Sequence, residues 1–372
     1  MKRRWGSVLA ASAALAACSG HESDTSAAPP GGEKIVHVYN WTDYVGKSTL
    51  ADFEAKTGIK VVYDTYDSNE IVETKLLIGK SGYDVAFPTA TIIGRMSRAG
   101  ALQKLDKSLL PNLANMDPDA MRQIAVNDPG NDYSVGYTAG TTGLGYNPDL
   151  VRKALGTDRL DSWAAVFDPA IASRLASCGI SVLDAPEDIF EAAEYYLGTD
   201  TSNEDLQELE AVERLIKRVR PYIRYFDSSQ HVNALAAGEI CVSLSWTNLV
   251  LQAKYRGADA THPVWVSYAI PKEGATQWFD TMVIPADAPH LANAHAFVNF
   301  LMEPEVIAAI SNDIGCANAN RASEPFLKAE LKDDPSINPP AEVRARLRPA
   351  YARSQEYSRE VNRAWTRIKT GQ

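Results

Sequence analysis

The chain has 372 residues, 45% of them hydrophobic and 23% charged, a composition typical of a globular protein. Its length suggests two domains. Acidic residues number 47 against 37 basic ones, which gives a formal net charge of -10. Because a negatively charged protein repels polyanions, we expect no nucleic-acid partner.

The N-terminus is predicted to export and anchor the chain. Basic residues precede an apolar stretch from Val8 to Ala17 that is too short to span a bilayer, which is typical of a secretory signal. Cys18 ends a Leu-Ala-Ala-Cys sequence that resembles the lipid-attachment site of bacterial lipoproteins. We therefore expect a signal peptide over 1–17, a lipid on Cys18 and a flexible tether over 18–33. A plain cleaved signal with an unlipidated Cys18 is the alternative.

Strands and helices alternate at the start of the folded body. The predicted strands cover 34–40, 59–65 and 83–87, and the predicted helices cover 48–57 and 69–78. This order favours a mostly parallel sheet with helices on both faces, in which ligands bind at the carboxyl ends of the strands. Two polar motifs lie at such ends, Asn40-Trp41-Thr42-Asp43-Tyr44 and Pro88-Thr89-Ala90-Thr91.

A glycine-rich segment over 136–147 is interpreted as a crossing into the second domain. It lacks the Gly-x-Gly-x-x-Gly spacing and a following Gly-Lys-Ser/Thr, so it does not indicate a phosphate-binding loop. Alternating elements resume after it, and residues 257–263 are expected to lead back to the first domain. These elements are a stretch over 162–175, strands over 178–183, 240–246 and 264–270, and helices over 189–197 and 203–219.

Three cysteines follow Cys18. Cys178 and Cys241 lie in apolar, strand-like segments, so a disulfide between neighbouring strands is geometrically reasonable in an oxidising compartment. The chain-entropy argument gives such a bridge about 4 kcal/mol of stabilisation. Cys316 is left over, and a small buried thiol is its simplest interpretation.

Six motifs, taken in order, resemble those of the periplasmic polyamine-binding proteins, and most closely the putrescine-binding members. They lie at 40–44, 178–187, 270–274, 279–280 with 284–287, 317–320 and 363–365. The resemblance implies an α/β fold of two lobes, each a mixed sheet flanked by helices, with a ligand cleft at the hinge. The first lobe would comprise 34–138 plus 257–310, and the second 139–256 plus 311–372.

The resemblance also implies how the protein works. A monomer in the periplasm, attached to the membrane only through its N-terminal lipid, would capture a polyamine and deliver it to an inner-membrane ABC permease. Crossing segments near 136–141, 252–262 and 308–318 would act as hinges that close one lobe onto the ligand. No cofactor or metal is expected.

The chemistry of a polyamine defines what its site needs. Ammonium groups on an alkyl chain call for carboxylates at the ends and aromatic faces between them. The resemblance assigns ligand binding to Trp41, Thr42, Asp43, Tyr44, Thr89, Asp188, Trp246, Trp278 and Asp280, with Glu187, Asn248, Leu249 and Cys316 as further candidates. Leu249 stands where the pattern has a polar or acidic residue, and Cys316 where it has a tyrosine. These two departures leave the preferred amine open.

Other interpretations of the same residues are weaker. Trp246 alone would fit a core, and Glu187 or Asp188 alone would fit the first turn of a helix that starts near Pro186. Catalysis finds little support, because His290 and His295 have the wrong spacing for a zinc helix and a Gly-x-Ser-x-Gly elbow is missing. A carboxylate pair could still act as acid and base. Binding of another amine or of an amino acid, and a role as an amine sensor, remain alternatives within the binding class.

Overall fold

The computed structural model describes residues 33–371. The predicted signal peptide, the lipid on Cys18 and all of the predicted tether except Glu33 lie outside the described residues. Among residues 33–371, none of the helices combines the length and the apolar character needed to cross a bilayer.

Strands and helices alternate along most of the described chain. The strands are β1 (Ile35–Trp41), β2 (Lys60–Tyr66), β3 (Val85–Ala86), β4 (Ser134–Tyr146), β5 (Ile180–Val182), β6 (Ile223–Phe226), β7 (Val242–Trp246), β8 (Ser267–Ala269), β9 (Ala275–Val283), β10 (Ala317–Asn318) and β11 (Leu347–Pro349). The helices are α1 (Thr49–Thr57), α2 (Asn69–Ile78), α3 (Ile93–Arg98), α4 (Pro118–Ile124), α5 (Pro148–Leu155), α6 (Ala164–Phe167), α7 (Pro169–Leu175), α8 (Pro186–Leu197), α9 (Leu206–Val219), α10 (Gln230–Ala236), α11 (Thr247–Ala258), α12 (Leu291–Leu301), α13 (Pro304–Ile314), α14 (Ala329–Lys332), α15 (Ala341–Arg344) and α16 (Gln355–Thr370). Short 3-10 turns cover Ala90–Ile92, Lys107–Leu109, Pro111–Asn115, Arg220–Tyr222 and Arg321–Phe326.

Local sequence explains where many of these elements end. The Ser68 side chain accepts a hydrogen bond from the Ile71 N–H at the start of α2, which satisfies a donor that the helix leaves unpaired. Gly58 ends α1 with φ 68°, a left-handed conformation that glycine adopts without steric penalty. The predicted strand over 83–87 shortens to β3 because the Asp84 carboxylate binds the backbone N–H groups of His37 and His290, and Pro88 has no N–H.

Two groups of strands meet on β4. In the first group, β1 pairs in parallel with β2 and β3, and β9 pairs antiparallel with β3 and with residues 134–141 of β4. In the second, residues 142–146 of β4 pair antiparallel with β7, residues 144–146 pair antiparallel with β8, and β5 lies parallel to β6 and β7. The predicted mixed α/β class is confirmed. The mostly parallel sheet that the opening alternation favours is not what forms, because β4 runs antiparallel to β7, β8, β9 and β10, and β9 runs antiparallel to β3.

The glycine-rich segment predicted as a crossing lies almost entirely in β4, a single strand that leaves β9 and joins β7. The lobe boundaries stay a prediction. β8 belongs to the range predicted for the first lobe, yet it pairs with the second half of β4.

Each group of strands has its own apolar core. Phe53 and Phe297 are buried beside β1 and β9, with ring centroids 4.9 Å apart. Trp163 is fully buried among α7, α8 and α9, and its Nε1–H donates to the Gly274 carbonyl at 2.9 Å. Burial of each such aromatic side chain contributes roughly 1.5–3 kcal/mol.

The cysteine prediction is confirmed. Cys178 and Cys241 form a disulfide with a Cα–Cα distance of 5.4 Å, and they stand just before β5 and β7, which pair in parallel. Cys316 is a free, buried thiol.

The segment between β11 and α16 inserts a buried arginine into the helical layer. The Arg353 guanidinium lies 3.5 Å from a Glu191 carboxylate oxygen and 3.6 Å from a Glu194 carboxylate oxygen, and the side chains of all three residues are less than 10% exposed. Burial raises the pKa of Glu191 to about 8 and that of Glu194 to about 7, against the opposing pull of Arg353. Nearby, the amide side chain of Asn127 binds the backbone of Ala350 and Ala352. This segment therefore ties the loop before β4 to α8.

Candidate ligand-binding site

One carboxylate lies at the centre of the first group of polar side chains. Asp280 on β9 is 6% exposed, and its two oxygens accept hydrogen bonds from the Tyr44 hydroxyl and the Thr89 hydroxyl, both at 2.8 Å. The Tyr44 hydroxyl in turn accepts a bond from Thr138 Oγ1 at 3.0 Å. The structure thus brings three predicted site residues from distant parts of the sequence into one cluster.

Burial controls the ionisation of this cluster. It raises the pKa of Asp280 to about 6, although the hydrogen bonds from Thr89 and Tyr44 favour the ionised form. Burial also raises the pKa of Tyr44 well above its usual value, with the charge of Asp280 as the second cause. Tyr44 is therefore a neutral donor, and Asp280 is a largely ionised but poorly solvated carboxylate at neutral pH.

A second carboxylate lies farther along β4. Asp188, in the first turn of α8, accepts hydrogen bonds at one oxygen from Thr142 Oγ1 at 2.7 Å and from the Trp246 indole at 2.9 Å. Burial raises the pKa of Asp188, while the hydrogen bonds from Thr142 and Trp246 act in the opposite direction. Trp246 is half-buried, so it is neither a pure core residue nor a solvated one.

Trp278 lies between the two carboxylates along the strand. It pairs with Gly140, and a Cβ atom built on Gly140 would stand 2.2 Å from the indole Cζ2. Only glycine therefore allows the ring to rest across β4 at this point. The Trp278 Nε1–H is buried and has no hydrogen-bond partner among the described residues.

The register of β4 puts all of these groups on one face. Thr138 pairs with Asp280, Gly140 pairs with Trp278, and Thr142 pairs with Trp246. Side chains two residues apart on a strand point the same way, so Asp280, Trp278 and Trp246 share a single face. Asp188 on α8 joins this row through its hydrogen bonds from Thr142 and Trp246.

The other predicted site residues lie at varying distances from this row. Trp41 donates its indole N–H to the Phe87 carbonyl at 2.7 Å, and its ring lies 4.7 Å from that of Tyr66 at a tilt of 51°. Thr42 and Asp43 are exposed at the end of β1. Glu187 is exposed and accepts a bond from the Ser358 hydroxyl.

The further candidates divide into two groups. The Cys316 sulfur lies 3.9 Å from the Tyr44 hydroxyl and so adjoins the first cluster, and its pKa is raised to about 12 by burial. Asn248 and Cys316 both line a small cavity beside Gly140. Leu249 instead packs against a separate apolar cluster around Leu235.

Sequence reasoning missed Thr138, Gly140 and Thr142. These residues are two positions apart in the glycine-rich segment, a spacing that indicates one face of a strand. The interpretation of the segment as a crossing between domains did not use this signal. Among the residues that the structure describes, no group of three or more His, Cys, Asp or Glu side chains could hold a metal ion.

Comparisons with known proteins point to one family. Residues 48–339 match the family described as bacterial extracellular solute-binding protein. The chain is 45% identical over 339 residues to the putrescine-binding periplasmic protein SpuD of Pseudomonas aeruginosa, covering 91% of this chain and 92% of that protein. It is 43% identical over 373 residues to the putrescine-binding periplasmic protein PotF of Escherichia coli, covering 100% and 99%.

A solved structure has the same architecture. The putative spermidine/putrescine ABC transporter from Listeria monocytogenes superimposes with a TM-score of 0.79 at 28% identity, covering 91% of this chain and 100% of that one.

Proposed function

Because this chain belongs to the bacterial extracellular solute-binding protein family, we propose that it captures a polyamine in the periplasm for an ABC importer. It is a solute-binding protein and not an enzyme. The observation that carries the proposal is the row on β4, in which desolvated Asp280 and Asp188 flank the indoles of Trp278 and Trp246. A molecule with a positive charge at each end and an apolar chain between them matches that row.

Each part of a polyamine has a partner in this arrangement. An ammonium group at Asp280 would find a carboxylate already oriented by Tyr44 and Thr89, so little reorganisation accompanies binding. Methylene groups would pack on the indole rings. An ammonium group over the face of an indole would contribute roughly 0.5–2 kcal/mol. Exclusion of water lowers the local dielectric and strengthens each ammonium–carboxylate pair.

The transport cycle follows from the strand shared by both groups of strands. β4, near one of the predicted hinges, carries partners of both carboxylates, so a ligand that bridges them would favour the closed arrangement. The closed protein, a monomer, would deliver its ligand to an inner-membrane permease. The proposal includes the lipid on Cys18 as the only membrane attachment.

Calorimetric titration of the purified mature protein with putrescine, cadaverine, spermidine, spermine and agmatine tests the proposal. We expect micromolar or tighter binding of at least one amine, and its loss in Asp280→Ala. The control is Asp119→Ala, whose side chain is 75% exposed on α4 and pairs with neighbouring Arg122. Absence of binding to all five amines would refute the polyamine assignment.

The membrane attachment has a separate test. In Cys18→Ala the protein should move from the membrane fraction to the soluble periplasmic fraction. Mass spectrometry of the wild-type N-terminal peptide should show acyl chains on Cys18. An unmodified Cys18 peptide from a soluble wild-type protein would contradict the lipid and leave the ligand assignment intact.

A further inference from the structure

Resting on the proposed polyamine site, we propose that the spacing of Asp280 and Asp188 along β4 makes this protein selective for long linear amines. The ligand would carry terminal charges about 8 to 11 Å apart, a range that follows from strand geometry. Butane-1,4-diamine, the shortest common polyamine, would then bind more weakly than an octane-length diamine or a triamine of that length.

The first step is the distance along the strand. Asp280 shares the Tyr44 hydroxyl with Thr138, through bonds of 2.8 and 3.0 Å, so its carboxylate lies beside Thr138. Asp188 accepts directly from Thr142 at 2.7 Å, so its carboxylate lies beside Thr142. Four residues separate the two threonines, and an extended strand advances about 3.3 Å per residue, which gives about 13 Å between the two ends.

The second step is the displacement across the strand. Asp280 is on β9, which lies on one edge of β4, and Asp188 is bound to Trp246 of β7, which lies on the other edge. Neighbouring strands lie about 4.8 Å apart, so the sideways displacement increases the separation of the carboxylates to about 14–16 Å. Each ammonium group then occupies about 2.8 Å of the gap, which leaves about 8–11 Å between the two nitrogens.

The third step compares this gap with the ligands. An extended covalent chain advances about 1.2 Å per bond, so the five bonds between the nitrogens of butane-1,4-diamine span about 6 Å. The nine bonds of octane-1,8-diamine, or of spermidine, span about 11 Å. The shorter amine therefore contacts one carboxylate at a time, whereas the longer amines bridge both.

The middle of the row suits the interior of a longer chain. The Trp278 ring rests over Gly140, halfway between Thr138 and Thr142, and offers an aromatic face to methylene groups or to a secondary ammonium group. An added side chain at position 140 would push this ring away from β4.

The test is a calorimetric series of linear α,ω-diamines from four to eight carbons, together with spermidine, on the mature protein. We expect octane-1,8-diamine to bind at least ten times more tightly than butane-1,4-diamine. Longer chains also bury more apolar surface, so length alone raises affinity. The variant Asp188→Asn separates the two causes, because asparagine keeps an oxygen for Thr142 and Trp246 but removes the charge.

In Asp188→Asn we expect both affinities to fall, and their ratio to fall at least tenfold, because only octane-1,8-diamine loses a bridge between two carboxylates. Gly140→Ala is the second variant, and it should weaken octane-1,8-diamine more than butane-1,4-diamine. Tightest binding of the four-carbon diamine, or a length ratio unchanged in Asp188→Asn, would overturn the length selection and leave amine binding standing. No binding of any amine would instead remove the proposed function and this inference with it.

Discussion

Protonation of Asp280 should compete with amine binding. Burial raises the pKa of this carboxyl group to about 6, and only its ionised form attracts an ammonium group. At pH 7.5 nearly all of the Asp280 carboxyl groups are ionised, whereas at pH 5 about one in eleven is. The affinity should therefore fall about tenfold between these pH values, which is about 1.4 kcal/mol. The pKa of Asp188 is also raised, so its protonation would add to the loss in the same direction.

The protons themselves can be counted. Titrations at pH 6 in buffers of different ionisation enthalpy should show about half a proton released for each amine bound, and almost none at pH 7.5. Asp280→Asn should bind weakly, with an affinity that changes much less between pH 5 and 7.5. Equal wild-type affinities at pH 5 and 7.5, or no proton release at pH 6, would refute the placement of a poorly solvated Asp280 at the ammonium group.

Three further predictions concern stability. The raised pKa of Glu194 means that its contribution to stability is present below pH 4.5 and lost as pH rises through about 7. Glu194→Gln should therefore raise the free energy of unfolding by about 2 kcal/mol at pH 8.5 and leave it unchanged at pH 4 in urea titrations. The control, Glu210→Gln, changes an exposed side chain and should leave the free energy of unfolding unchanged at both pH values. Reduction of the Cys178–Cys241 disulfide, which closes a loop with a sequence separation of 63, should remove about 4 kcal/mol, and an unchanged urea midpoint would contradict this. Trp163→Ala should lower the free energy of unfolding by about 3–5 kcal/mol. A loss below 1 kcal/mol would contradict this prediction and mean that neighbouring side chains move in to fill the cavity.

Local sequence patterns predict the bounds of many helices and strands. The helix predicted over 69–78 has those bounds, and the strands predicted over 34–40 and 59–65 are displaced by one residue. These elements are set by apolar spacing and by caps within a few residues, which are visible in sequence. The predicted strand over 264–270 was too long, since only Ser267–Ala269 pairs with β4. Its length depends on a partner more than a hundred residues away.

The geometry of the site could not be predicted from the sequence, because it also depends on partners that are distant in the chain. The residue types of Tyr44, Asp280 and Asp188 suit a cation, but their distances depend on which residue of β4 faces which residue of β7 and β9. Cross-strand register is a tertiary property, and a shift of one residue would turn each partner to the opposite face. The buried contact of Arg353 with α8 was also missed. Arginine is seldom buried unless it is paired, so the sequence alone predicts an exposed side chain, and its carboxylate partners are defined only by the tertiary structure.

The single strand that carries both ends of the site limits how such proteins diversify. Insertion of one residue between Thr138 and Thr142 would send one carboxylate partner to the far side of the sheet unless a β-bulge absorbed it, as the irregularity between Gly136 and Thr138 does in β4. Insertion of two would restore the face but lengthen the span by about 6.6 Å, more than a butylene unit. Insertions in β4 therefore change the span of the site only in large steps, whereas point substitutions at fixed positions change the ligand contacts and leave the span as it is.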